Sequence, residues 1–303
     1  MEWLLALVFV WGSLQDASVN YDEAALAFAA LEQEESAMYE DPEAARLAIS
    51  SEWAVFPETV QQGDAFMVRS NSEQTIAWNG ESIKLLPFGT GYYALLPVPS
   101  GMKAGSYPIG STTITINRKS FETQYLEVTE EQEAMRRNTE RIQADQVKID
   151  KARSDSADEF LWTDKFVRPA EGRLSTPYGF TRYINGKLSG THKAIDLAAP
   201  EGSPVYATSS GKVVLAEELY LTGNSIYIDH GLSLFSQYAH LSKLLVNPGD
   251  EVEAGQLIGL VGTTGFSTGP HLHFAFWLHN VQTNPDLFFD SSPFLWFNKD
   301  EFG

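Results

Sequence analysis

The chain has no cysteine. No disulfide framework can therefore staple it, and any metal it holds must be bound by His, Asp or Glu rather than by thiolate. The absence leaves the redox compartment open. Positive charge is also scarce: 21 Lys and Arg stand against 40 Asp and Glu, a formal net charge of -19. Nucleic acid and anionic lipid surfaces are excluded as main partners, because a polyanion would be repelled. A long apolar run is missing as well. The stretch from Trp3 to Val10, continuing to Leu14, falls well short of the roughly 20 residues that a spanning helix needs and has the length of an export signal's apolar region. Glu2, the lack of Lys or Arg before it, and the unsuitable Gln15-Asp16-Ala17 all weaken that signal. The expectation is an extracytoplasmic protein, with membrane association only through this segment if it stays uncleaved.

At 303 residues with 43% hydrophobic and 12% aromatic side chains, the chain has material for two folded domains. Residues 1–52 hold eleven acidic side chains against the single basic Arg46, and Tyr21 to Ala48 reads as acidic helix with a thin apolar stripe, best taken as a solvated spacer. From residue 53 to 128 short strands such as 65–68, 75–78, 82–86, 92–96, 106–109, 113–116 and 124–128 alternate with turn signals like Asn79-Gly80. That spacing predicts a small antiparallel β-sandwich. It contains none of the six histidines, so positioning, substrate contact or inhibition suits it better than catalysis. Residues 129–164 turn Glu-, Arg-, Gln- and Asp-rich, which predicts a charged helical linker. Residues 165–290 are dense in Gly, Pro, Val and Ile, with strands expected at 204–207, 211–215, 225–229 and 256–261, and predict an antiparallel sheet-built domain. Residues 291–303 are left as a tail. The fold class is mainly β.

All the chemistry-bearing candidates lie in that last domain. His271-Leu272-His273 puts two imidazoles on one face of a strand, and His192-Lys193-Ala194-Ile195-Asp196 does the same for a His and a carboxylate. Two neutral imidazoles, one carboxylate and an open fourth position are how a hydrolase holds Zn2+. The same donors also make the facial triad of non-haem iron oxygenases, although no cosubstrate pocket is signalled. Each short motif is weak alone. Gly262-Thr263-Thr264-Gly265 lacks the Gly-Lys-Ser/Thr of a phosphate loop and reads as a loop shaping a groove. His230 and His279 sit beside turn-prone residues and read as structural or solvent-exposed. Arg182 is a candidate for a substrate carboxylate, with a surface arginine as the commoner outcome.

The order of motifs adds a resemblance. His192-x-x-x-Asp196, Gln237-Tyr238-Ala239-His240-Leu241, Gly249-Asp250 with Gly255-Gln256, Gly262-Thr263-Thr264-Gly265 and Thr268-Gly269-Pro270-His271-Leu272-His273 together resemble the M23 zinc metallopeptidases of the lysostaphin and LytM type over residues 166–289. The string from Pro177 to Lys187, with the preceding sandwich and linker, resembles envelope members with an immunoglobulin-like N-terminal domain. The resemblance implies a LytM-type peptidase domain that binds one Zn2+ through His192, Asp196 and His273. It leaves His240 and His271 unligated, with His271 the expected general base and His240 a supporting partner or oxyanion donor, the two roles being exchangeable. Peptidoglycan peptides are the implied substrate, stem-peptide cross-links ahead of glycine bridges. Ala194, Ala239 and Ala275 depart from residues frequent in the family, but none removes a ligand. The rival reading is a peptidoglycan-binding regulator or activator of other wall hydrolases without activity of its own, and an envelope regulatory protein is a candidate partner. The peptidase domain is expected to work without residues 1–160.

Overall fold

The computed structural model describes residues 21–39, 42–162, 165–289 and 291–298. The apolar stretch from Trp3 to Leu14 and its expected export role lie outside them. Among the described residues no helix is long and apolar enough to cross a membrane. The acidic segment forms two helices, Tyr21–Ala37 and Pro42–Ser50. The first is solvated over Ala24 to Ala30, as a spacer would be, yet Glu35 near its end is fully buried. The second turns Ala44, Ala45 and Ala48 inward.

The sandwich region is built around a four-stranded sheet in the order Trp53–Phe56, Ala65–Ser70, Gly91–Pro97, Leu86–Phe88. A second sheet, Thr59–Gln61, Thr112–Asn117 and Gly105–Ile109, and the hairpin Thr75–Trp78 with Glu81–Lys84 complete it. Asn79 at φ 49° and Gly80 at φ 85° make the hairpin turn, the left-handed pair that matches strand twist. Ala65–Ser70 is buried at every position, the mark of a sheet covered on both faces. One face, with Val55, Phe66, Val68, Ala94 and Leu96, packs inside the sandwich. The other, with Phe56, Ala65, Met67, Tyr93 and Leu95, belongs to the same core as Phe166, Leu272 and Phe276. The two halves of the protein thus share one continuous core.

Residues 291–298 are part of that junction. Phe294 and Trp296 in the short 3-10 helix Pro293–Asn298 are fully buried, and the Phe294 ring lies 5.3 Å from Tyr93 and 5.4 Å from Phe160. The expectation of a tail is corrected for these residues, because two large aromatics gain too much by burial to stay in water.

The C-terminal half is an antiparallel sheet ordered Arg173–Thr176, Ile195–Ala198, His271–Leu278, Leu234–Leu241, Gly223–Asp229, Gly211–Leu219, Glu251–Val252. Along His271–Leu278 the alternate residues Leu272, Phe274, Phe276 and Leu278 enter the core, leaving His271, His273 and Trp277 on the opposite face. The helix Thr139–Ala152 lies over part of that face, where Ile149 and Ala152 pack with Leu215, Leu219, Tyr227 and Trp277. The charged helix therefore packs on the sheet instead of bridging through solvent. Its neighbour, Glu130–Arg137, starts with a capping box between Thr129 and Gln132. It is tied to the loop before His271 by Gln132 Nε2 donating to Ser267 O at 2.8 Å. The histidine end of the face stays open.

Candidate metal centre

Strand register assembles the three candidate ligands. Asp196 on Ile195–Ala198 stands opposite His273, and His192 closes the hairpin strand Lys187–His192 that leads into it. Asp196 Oδ1 lies 3.1 Å from His192 Nε2 and 2.9 Å from His273 Nδ1, and the two ring nitrogens are 3.2 Å apart. Bonds of about 2.0–2.1 Å spread tetrahedrally from one zinc-sized ion give ligand separations of just this order. Among the described residues these three side chains are the group able to hold a metal ion. His192 Nδ1 is buried without a hydrogen-bond partner, so within the protein that ring is held through Nε2 alone, the nitrogen that faces the other two candidate ligands. Two imidazole nitrogens and a carboxylate oxygen fit a cation of zinc's type.

The electrostatics agree with a ligand set kept deprotonated. Burial would raise the Asp196 carboxyl, but hydrogen bonds from His192 and His273 hold it well below the usual carboxylate range. Burial lowers His192 to about 4, against the opposing pull of Asp196. Both groups are in their metal-binding forms at neutral pH.

His240 and His271 face the same space. With regular alternation His240 would join Tyr238 on the core face, but its left-handed backbone, φ 62°, turns it aside. Its ring comes 4.8 Å from His271 and 5.7 Å from His273, centroid to centroid. Such a conformation in a non-glycine residue is a local strain found at functional positions. His240 Nδ1 lies 2.8 Å from Thr264 O, and His271 Nδ1 lies 2.8 Å from Gly269 O. A carbonyl only accepts, so each Nδ1 carries the proton and each Nε2 presents a lone pair. His271 Nε2 is 3.8 Å from Asp196 Oδ1. Burial lowers His240 to about 3 and also lowers His271. A Cβ on Gly262 would come within 2.3 Å of Ser242 N, so the glycine loop presses against the backbone that follows His240 and supplies the Thr264 carbonyl.

The remaining candidates fall elsewhere. His230 is fully buried, with Nδ1 2.7 Å from Ser210 O and Nε2 2.8 Å from Ser236 Oγ. His279 Nε2 lies 3.0 Å from Leu95 O, across the junction between the two halves. Arg182 directs its guanidinium at Asp196, with Nη2 donating to Oδ2 at 2.7 Å, and its Nε donates to Gln124 Oε1 at 2.8 Å. Gln124 and the Thr264 and Gly269 carbonyls escape sequence reasoning, since backbone acceptors and a lone glutamine carry no motif.

Comparison with known proteins places this geometry. Residues 190–285 match peptidase family M23. Over 122 residues the chain is 43% identical to an uncharacterized metalloprotease of Buchnera aphidicola, a match covering 40% of this chain and 32% of that protein. Over 102 residues it is 39% identical to the peptidoglycan DD-endopeptidase ShyC of Vibrio cholerae, covering 34% of this chain and 23% of that one. The chain thus spans a third or less of the length of these curated relatives. A crystal structure of an M23 peptidase from Pseudomonas aeruginosa has the same fold, with a TM-score of 0.56 at 23% identity, covering 75% of this chain and 93% of that one. The stretch that matches peptidase family M23, residues 190–285, holds all five of His192, Asp196, His240, His271 and His273.

Proposed function

We propose that this protein is a zinc-dependent endopeptidase that hydrolyses peptide bonds in peptidoglycan. The observation that carries the reading is the convergence of three ligand atoms within 3.2 Å beneath two histidines whose Nε2 lone pairs are both free. His192, Asp196 and His273 would hold one ion. When bound, zinc supplies a Lewis acid that polarises a carbonyl and brings a water's pKa toward 7. His271 accepts the proton of the attacking water at Nε2 and passes it to the leaving amine. His240 offers a second acceptor to the same space and, with its proton fixed on Nδ1, orients the water rather than donating to an oxyanion. No side chain becomes covalently attached to substrate.

The similarity to a protein named as a peptidoglycan DD-endopeptidase supports stem-peptide cross-links as substrate ahead of glycine bridges, and with them an envelope location. A substrate carboxylate would have to compete with Asp196 and Gln124 for Arg182, so we place Arg182 in support of the metal site. The test is mass-resolved digestion of purified cross-linked muropeptides and of glycine-bridged peptides by the zinc-loaded full chain. Cleavage of the cross-links that is abolished by chelation and restored by zinc is expected. Binding without any product would point to a regulator instead.

A further inference from the structure

The support of Asp196 extends beyond the stretch that matches the family. We propose that Gln124, acting through Arg182, is a positioning residue that holds Asp196 as a one-oxygen metal ligand. The proposal rests on the metal-centre reading above and deepens it.

The two oxygens of Asp196 have different neighbours. Oδ1 lies among the ligand nitrogens, 3.1 Å from His192 Nε2 and 2.9 Å from His273 Nδ1. Oδ2 accepts from Arg182 Nη2 at 2.7 Å. A charge-assisted hydrogen bond of that length occupies Oδ2 and leaves Oδ1 alone to face the ion. Support of this kind orients ligands and tunes affinity in metal sites generally.

Arg182 needs holding in turn. Its side chain is 22% exposed against 7% for Asp196, and a flexible arginine at a partly open site has rotamers that point to solvent. Gln124 restricts them. Its Oε1 accepts from Arg182 Nε at 2.8 Å, and its Nε2 donates to Thr176 Oγ1 at 3.0 Å. Thr176 is itself the strand neighbour of Asp196, so the chain of bonds closes on the residue it supports. The backbone makes this possible. Thr123–Leu126 runs parallel to Phe180–Ile184 with Gln124 opposite Arg182, while Tyr125 and Tyr183 stack with ring centroids 5.2 Å apart. The strand that leaves the sandwich is therefore an edge of the metal centre, and a fragment that begins at residue 161 would lack it.

The experiment uses the full chain and two substitutions, Gln124→Leu and Gln124→Glu. Zinc affinity is read by competition with a chromophoric chelator, and coordination by the visible absorption of the cobalt-substituted protein. Gln124→Leu is expected to weaken zinc binding about 10- to 100-fold. It should also reduce the cobalt band intensity, as Oδ2 becomes free to join the coordination. Gln124→Glu keeps an acceptor for Arg182 Nε, the Thr176 hydroxyl can turn to donate, and both readouts should stay near wild type. Wild-type affinity and spectrum in Gln124→Leu would overturn the proposal, and so would equal losses in both variants, which would mean mere packing. Should Gln124→Leu fail to fold, Arg182→Lys answers the same question, since it keeps the charge but cannot bridge Asp196 and Gln124 together; an unchanged cobalt spectrum there would overturn the proposal. A wild-type protein that takes up no cobalt would remove the metal-centre reading itself, an outcome distinct from any difference among variants.

Discussion

Two buried polar clusters, one in each half of the molecule, differ in how fully their groups are satisfied. In the sandwich, Glu35 and Arg69 are 0% and 1% exposed and meet at 2.6 Å. Glu35 also accepts from the Thr90 backbone and hydroxyl and from Tyr93, while Arg69 Nη1 donates to Asn71 and to Ala48 O. Donors and acceptors are matched and the cluster is closed to water. Around Asp196 the arrangement is the reverse. Three candidate ligand atoms crowd together, His192 Nδ1 has no partner, and the His271 and His273 side chains are 15% and 17% exposed. A saturated buried cluster fastens the first helix to the sandwich. Crowded, partly exposed polar atoms cost stability unless something binds there, which is why the proposed metal centre is placed at this cluster.

The contrast can be broken by substitutions that separate activity from stability. The largest effect is expected for His271→Ala, which should lower kcat by about 10²- to 10⁴-fold with zinc content and melting temperature unchanged. A comparable loss of stability would show that His271 holds the fold, as Glu35 does. Glu35→Ala leaves Arg69 buried without its counter-charge and should cost about 3–5 kcal/mol in denaturant unfolding, with kcat unaltered in the folded protein. A smaller effect sharpens the comparison at a histidine that is buried and satisfied. Burial lowers His230 from 6.5 to about 4, so the unfolded chain takes up a proton that the folded chain refuses. Stability is therefore complete above pH 6.5 and is lost as pH falls toward 4. In the metal-free protein His230→Gln should flatten that slope, by roughly 3 kcal/mol at most, as followed by melting at several pH values.

What was legible in the sequence follows the same division. His271 and His273 could be read because strand alternation is local: one intervening residue fixes a shared face. His192 and Asp196 were found as a pair, but they lie on successive strands, Lys187–His192 and Ile195–Ala198, so the break between the strands and not alternation along one of them brings the two together. The hairpin at Asn79-Gly80 was legible for a similar reason, the turn chemistry being carried by the two residues that make it. The acidic helix was readable from composition, but the burial of Glu35 was not, because its partner Arg69 lies on a sandwich strand. Gln124 was invisible too, since its meaning comes from a parallel pairing with residues 58 positions on. Phe294 and Trp296 looked like a tail until the shared core gave them a place. His240 was found by its motif, although the left-handed turn that aims it has no signature in composition.

The most direct test of the central claim is the zinc content of the purified full chain, measured by plasma mass spectrometry after dialysis against trace zinc, beside Asp196→Ala. One zinc per chain in the wild type and none in a folded Asp196→Ala protein is the expected result. Equal zinc in both, or none in the wild type, would contradict it.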